Sequence, residues 1–468
     1  NKRKGNVKNS ISVHIFLGDS LVTNDTGVEH HPQNIPDEIG YDRIRDAFRS
    51  KSEIAYQGAV QRLDNKRTHL KQNPKPADNA VVPEFKRMPP AVWIGPSALT
   101  IPCPVTDMEQ LSNRLSKVFS DYPELFNHCV KVYQKRVDYY RLTSEGQKIL
   151  QPDTVFHITA RASIKTDGNE VKTEYYRLHV GGINDLPSED ALIGELHRFA
   201  EYMQQKNRAK AVEDLYIGPV LYEDDAAMEL LAEKIADYSH SYWISIRNQS
   251  DRKHRYLGKQ VFPPALSVCQ LGNDSVYNGV KLLGYRQVDA DGTKPKTLPI
   301  IEKGILKHML TGRTPSLGCP ASTGNEHFDG LSRTLETRYT AGVFRVTSNR
   351  PVPYSKLYKR FLKAAKKAGL EHTYIIRKNR TSPYALIRVD LSTGKEELVE
   401  GNYNSPSREQ FKRMHAISKE ENVYNLDPAG GKGLGIISPK AILLEDMELD
   451  ITPSRARHID EAFYELRH

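Results

Sequence analysis

An alternating apolar segment, Ile11 to Leu17, predicts a short first strand, and the polar stretch that follows to about residue 40, rich in Asn, Asp, Gly and Pro, reads as a loop. From there the period changes. Ile44, Phe48, Ile54, Ala55, Ala59, Leu63 and Leu70 recur at helical spacing among Lys and Arg, which predicts one long helix over 41–72. The Pro-rich stretch 71–90 predicts a surface run, and Met108, Leu111, Leu115, Val118 and Phe119 mark an amphipathic helix over 107–122.

Over 129–182 the period falls to two, with runs of Val, Tyr, Ile and Thr. Turn signals at Ser144-Glu145-Gly146, Gln151-Pro152-Asp153 and Asp167-Gly168 divide this stretch into an expected antiparallel meander of four strands. A helix over 188–206 follows, with Leu192, Leu196, Phe199 and Met203 on one face. The second half is expected to open with a strand at 216–222 and a helix over 224–242. It continues with strands and hairpins over 261–350, including an Asp291-Gly292 turn. A helix over 355–370, strands near 373–377 and 384–390, and a last ordered piece from Ile436 to Leu449 complete it. This order predicts an α+β fold in two domains. The first, 1–212, has helices and an antiparallel meander; the second, 213–468, is β-rich with helices. No repeat at solenoid or propeller periods is present.

Composition narrows the class only a little. The 468 residues allow two or three cores, and a mean hydropathy of −0.59 is polar but compatible with folding. Lys and Arg number 67 against 58 Asp and Glu, a net charge of +9, which permits an acidic partner without requiring one. The basic face of the helix over 355–370 (Lys356, Lys359, Arg360, Lys363, Lys366, Lys367) concentrates some of that charge, with Arg377, Lys378 and Arg380 nearby. A solvated face is the expectation there, and nucleic acid is not expected as a partner. Cys103, Cys129, Cys269 and Cys319 lie far apart with no CxxC pair, which excludes a disulfide scaffold and a zinc ribbon. No apolar run approaches the roughly 18 residues of a membrane helix. The chain begins at Asn1 with no apolar signal core, so a removed leader or a trimmed chain is expected.

The common catalytic templates are missing. None of the 16 His is followed by Glu, so no HExxH-type zinc motif exists, and there is no GxSxG elbow. Gly430 to Gly435 resembles a phosphate loop in composition only, and Asp289-Ala290-Asp291-Gly292 has its Gly too early for an EF-hand. Ser250-Asp251-Arg252-Lys253 and Ser392-Thr393-Gly394-Lys395 fit SxxK without its companion motifs. His30 and His31 are adjacent on a loop and point apart, so no shared metal is expected there.

Three segments carry a family resemblance: YIGPVLYEDDAAMELLA (216–232), VFPPALSVCQL (261–271) and LPIIEKGILKHMLTGRTPSLGCPASTGN (298–325). They resemble the TldD/PmbA family, named as modulators of DNA gyrase and understood as metallopeptidases. The family pattern has a strand ending in GPVLFE, a helix with an Ala-Ala start, a Leu-Pro strand, and an Arg-containing loop ending in Ser-Thr-Gly-Asn. In the first half, Tyr139 to Gly146 is similar to the family's Asn-Ser-Glu-Gly hairpin and Thr166-Asp167-Gly168 to its Asp-Gly turn. The long helix resembles an extended, often exported branch, which tilts the expected location towards the outside of the cytoplasm.

Active relatives carry HExxxH on the helix after GPVLFE and a Cys ligand near the C-terminus. Aligned from Ala226-Ala227, the resemblance puts Glu233 and Tyr238 at the two His positions and Lys234 at the catalytic Glu, and residues 422–438 hold no Cys. Zinc, expected for the family, is therefore expected to be absent. By the same resemblance Arg313, Ser322, Thr323, Gly324, Asn325, Glu326 and His327 would line a substrate cleft. The leading expectation is a zinc-motif-lacking subunit that shapes a peptide cleft, as a homodimer or paired with a zinc-motif-bearing paralogue. The alternatives are a hydrolase with a non-standard site, drawing on Glu233, His240 or His327, and a binding module for nucleic acid or another acidic partner.

Overall fold

Strand and helix follow the periodicity in most of the chain. The computed structural model describes residues 9–24, 28–35, 40–74, 83–101, 103–165, 171–239, 253–315, 318–326, 342–382, 384–427 and 433–451. β1 (Asn9–His14) pairs antiparallel with β2 (Val28–Ile35), so the stretch holding His30 and His31 is a strand rather than the expected loop. Backbone pairing with β1 outweighs the turn-forming composition there. The long helix runs as expected, α1 (Tyr41–Gln72), but only Ala55, Ala59, Leu63 and Lys66 are buried. Ile44, Phe48 and Ile54 of the predicted apolar face are exposed. The helix docks by its middle and C-terminal turns, where Lys66 bonds Glu84 at 2.8 Å.

The period-two region forms three strands, not four: β4 (Leu125–Leu142), β5 (Lys148–Lys165) and β6 (Val171–Val180). Gln151-Pro152-Asp153, expected as a turn, lies inside β5, and the pairing with β4 runs through it unbroken. β3 (Val92–Ile94) pairs β5 only up to Leu150 and β6 pairs it only from Phe156. Pro152 thus falls where one edge of β5 meets neither strand, a position that tolerates a missing N–H. The hairpin at Ser144 to Gly146 is present, while the Asp167-Gly168 turn lies outside the described residues. Helices α2 (Val105–Ser116) and α3 (Glu189–Arg208), with the 3-10 turn Lys117–Asp121 that continues α2, cover this sheet, packing Leu115, Phe119, Leu196, Phe199 and Met203 on Phe156, Ile158 and Leu178.

The second half builds two sheets. The first has seven strands in the order β19 (Met414–Ile417), β22 (Ala441–Ile451), β8 (Asp214–Asp224), β15 (His372–Lys378), β17 (Ala385–Asp390), β18 (Glu396–Glu400) and β7 (Lys210–Ala211). The second has six, in the order β13 (Ile305–Leu306), β12 (Leu298–Glu302), β9 (Leu266–Gln270), β14 (Val343–Ser348), β21 (Leu434–Pro439) and β20 (Glu421–Leu426). A small hairpin joins β10 (Val276–Tyr277) to β11 (Val280–Lys281). Helix α4 (Asp225–Ser239) packs on strands of both larger sheets. Ala226 and Ala227, buried, keep its first turn thin enough to share one core with Val220, Val268, Ile300 and Ile376. Helix α5 (Tyr354–Lys367) covers the outer face of the seven-stranded sheet through Leu357, Phe361 and Ala365. A single turn, α6 (Arg408–Lys412), carries a capping box from Ser407 and Gln410.

The halves exchange edge strands. β7, at the end of the first half, adds to β18, and β16 (Thr381–Ser382) of the second half adds to β6. Charged pairs tie the two halves as well: Lys135 to Asp427 at 3.0 Å, Lys172 to Glu400 at 2.5 Å and Arg380 to Glu195 at 2.7 Å.

Candidate functional site

Helix α4 carries the three positions singled out by the resemblance, and their surroundings differ. Glu233 keeps half of its side chain exposed, at 52%. Its Oε2 accepts from Ser405 Oγ at 3.0 Å, and its Oε1 accepts from Lys234 Nζ at 2.8 Å. Lys234 is buried, and this carboxylate is the anion it meets. Tyr238 is a core residue, edge-on to Tyr256 and Phe262 with the Arg408 guanidinium 5.3 Å from its ring centre. A carboxylate, an ammonium and a packed phenol do not make a zinc donor set, because the ammonium beside the carboxylate repels a second cation. Among the described residues, no group of three His, Cys, Asp or Glu stands ready for a metal. His240 lies outside the described residues.

Glu233 borders a pocket of about 340 Å³ between the two halves of the chain. Helix α3 contributes Tyr202 and Lys206, β8 contributes Tyr222, and α4 contributes Ala226, Leu230 and Glu233. Tyr384, Leu386, Leu398, Glu400, Tyr403 and Ser405 close the other side. The Tyr384 hydroxyl donates to Glu229 Oε2 at 2.6 Å, and Lys378 holds Glu229 Oε1 at 2.5 Å. At the α3 end Lys206 bonds Glu174, whose burial raises its pKa to about 7 despite that partner. The Tyr222 hydroxyl is held protonated well above its ordinary range, by burial first and then by Tyr384 and Glu233. The pocket thus offers aromatic faces, an apolar floor and carboxylates at its rim.

The Arg313 loop is elsewhere and is closed. Arg313 is 3% exposed. Its Nη2 donates to Glu145 at 2.5 Å and to the Lys86 carbonyl at 3.0 Å, and its guanidinium lies 4.1 Å from the Phe85 ring centre. Asp291 stands 3.8 Å from its Nη1 and 2.9 Å from Arg141. Arg313 therefore clasps the expected Ser144–Gly146 hairpin of the first half to the Asp291-Gly292 turn of the second. Within that turn Asp289 accepts from the amides of Asp291, Thr293 and Glu326, yet burial and then Asp291 push its pKa to about 8.

The Ser-Thr-Gly-Asn run seals the same region. Thr323 Oγ1 donates to Asn325 Oδ1 at 2.7 Å, and Asn325 Nδ2 donates to Gln270 Oε1 at 2.7 Å, which pins the loop to β9. Gly324 has φ +80° and lies so close to Pro295 that a Cβ would meet its backbone at 2.5 Å, so only glycine fits. Ser322 Oγ accepts from the Gly324 amide at 3.1 Å, and Glu326 is buried. The loop begins where α4 ends, the Leu310 amide donating to the Ser239 carbonyl at 2.6 Å. None of Arg313, Ser322, Thr323, Gly324 or Asn325 borders the pocket. His327 lies outside the described residues.

Sequence reasoning reached Glu233 but missed Tyr202, Tyr222, Tyr384 and Tyr403. One signal was available: the family pattern GPVLFE reads GPVLYE here, so Tyr222 adds a hydroxyl to a core strand.

Residues 217–351 match the family model of the PmbA/TldA metallopeptidase C-terminal domain. No curated protein matches the sequence. Three solved structures share the fold at low identity. A protein from Thermotoga maritima described as a modulator of a DNA gyrase is 14% identical, with a TM-score of 0.53 over 85% of this chain and 83% of that one. One from Bacteroides thetaiotaomicron with the same description is 14% identical, with a TM-score of 0.56 over 91% and 87%. TldE from Thermococcus kodakarensis is 12% identical, with a TM-score of 0.53 over 88% and 86%.

Proposed function

We propose that this chain, whose residues 217–351 match the PmbA/TldA metallopeptidase C-terminal domain, is a metal-free member of the TldD/PmbA family: a peptide-binding subunit whose cleft retains the family's architecture while the helix that would hold zinc has taken another role. The observation that carries this reading is the Lys234–Glu233 pair, 2.8 Å apart on α4. The buried ammonium occupies the neighbourhood where the family's chemistry calls for a general base and a metal. Glu233 in turn faces a pocket formed by both halves of the chain. Such a subunit binds and orients an extended polypeptide. Cleavage then belongs to a zinc-motif-bearing paralogue with which it pairs, or is not performed by a homodimer.

The test has two parts. The purified chain is incubated with excess zinc and desalted, and its metal content is read by mass spectrometry; stoichiometric retention would overturn the metal-free reading. The chain is then co-expressed with a zinc-motif-bearing paralogue and resolved by size-exclusion chromatography. The expected result is a stable complex that turns over peptides which neither chain cleaves alone. Peptide turnover by this chain alone, abolished by Glu233→Gln, would replace the proposal with a non-standard hydrolase.

A further inference from the structure

The pocket beside Glu233 contains a group that nothing in the fold uses. Tyr222 is 3% exposed, and its hydroxyl has no hydrogen-bond partner among the described residues. A buried hydroxyl left unpaired costs about 1–3 kcal/mol. Tyr222 itself lines the pocket, together with Glu233 and Tyr384.

The walls favour one kind of ligand. The rings of Tyr384 and Tyr403 meet edge-on, 6.0 Å apart at 63°, and the ring of Tyr384 already lies 5.0 Å from the Lys378 ammonium. Aromatic faces of this kind attract organic cations. Two carboxylates, Glu233 and Glu400, line the pocket, each already meeting one ammonium, Lys234 and Lys172, while the ammonium that lines the pocket, Lys206, is committed to Glu174. Leu230, Leu386 and Leu398 supply an apolar floor suited to a methylene stem.

We propose that this pocket receives the side chain of an arginine or lysine residue from an extended polypeptide. The stem lies along the leucines, and the cationic head donates to the Tyr222 oxygen and to Glu233 while resting against the tyrosine rings. The assignment rests on the peptide-cleft reading above and adds the residue class that the cleft selects.

The test is titration of the full chain with dye-labelled alanine-rich peptides carrying one central Arg, citrulline, Lys or norleucine, read by fluorescence anisotropy. Free agmatine is titrated separately by calorimetry. The Arg and Lys peptides are expected to bind about tenfold more tightly than their neutral counterparts. Tyr222→Phe is expected to weaken the Arg peptide severalfold and leave the norleucine peptide unchanged, with a melting temperature equal to or above that of the parent chain. Equal binding of Arg and citrulline peptides overturns the cation assignment and leaves the peptide reading standing. Agmatine binding without peptide binding supports the cation pocket and overturns the peptide reading. No binding of any probe overturns both.

Discussion

The pocket beside Glu233 and the loop around Arg313 both carry positions that the family resemblance singled out. In the fold, Glu233 stands half exposed at an open pocket, and Tyr222 nearby keeps an unpaired hydroxyl. Arg313 is enclosed by Glu145, Phe85 and the Lys86 carbonyl, all from the first half of the chain. The difference lies in where each side chain's partners come from. Arg313 Nη2 is held across the two halves, by Glu145 and the Lys86 carbonyl of the first half. Its charge is therefore spent on holding the halves together. Glu233 meets Lys234 beside it and Ser405, both from the second half, and half of its side chain stays exposed at the pocket.

The largest expected effect tests the closed region. Arg313→Met removes a buried guanidinium and takes a cation from Glu145 and the buried Asp291, at an expected cost of about 3–5 kcal/mol in denaturant melts. Peptide binding per folded molecule should be unchanged. Lost binding at unchanged stability would place Arg313 in the site and erase the contrast.

A smaller effect comes from pH. The pKa of Asp289 in the clasp is raised from 3.8 to about 8, and that of Glu174 near the pocket from 4.5 to about 7. Each folded pKa lies above its unfolded value, so the folded chain binds more protons between the two. Their contribution to stability is fully present below the unfolded pKa and is lost as pH rises through the folded one. His179, lowered to about 4, acts with the opposite sign but only below its ordinary 6.5. Between pH 6.5 and 8 stability should therefore fall, at a limiting slope of about 1.4 kcal/mol per pH unit per group. Melts at pH 6.5, 7.25 and 8 check this. Stability that rises over that window would mean that Asp289 is ionised in the fold.

The smallest effect concerns the open region. Lys234→Met exchanges a buried ammonium for an apolar chain of similar length and should change stability by less than about 1 kcal/mol. A loss several times larger in the same melts would show that the Lys234–Glu233 pair supports the fold as the Arg313 clasp does.

The sequence made much of the fold readable where one face of an element meets one core. The heptad-like spacing of Leu192, Leu196, Phe199 and Met203 marked α3, and all four are buried. Ala226-Ala227 marked the start of α4. Period alone failed where neighbours decide the outcome. Pro152 looked like a turn because its signal is local, whereas the gap between β3 and β6 that accommodates it is set by the sheet. Ile44 and Phe48 looked like core because the helical stripe is real, but both stay exposed, and the buried residues of α1 begin at Ala55. The site was half legible for the same reason. Glu233 and Lys234 fall on one motif and could be read from it. The pocket tyrosines come from α3, β8 and two later segments, Tyr202 and Tyr403 lying some 200 positions apart, and no local pattern links them.

The exchange of edge strands has a consequence for how this chain is made. β6 is complete at Val180, but the strand that covers its edge, Thr381–Ser382, leaves the ribosome roughly 200 residues later. At a synthesis rate of about 5–20 residues per second, the first sheet waits roughly 10–40 s with the backbone of Tyr175 and Tyr176 uncovered. Unpaired edges recruit other strands. The nascent first half is thus a natural client for chaperones, and a fragment ending near residue 212 would carry that open edge permanently.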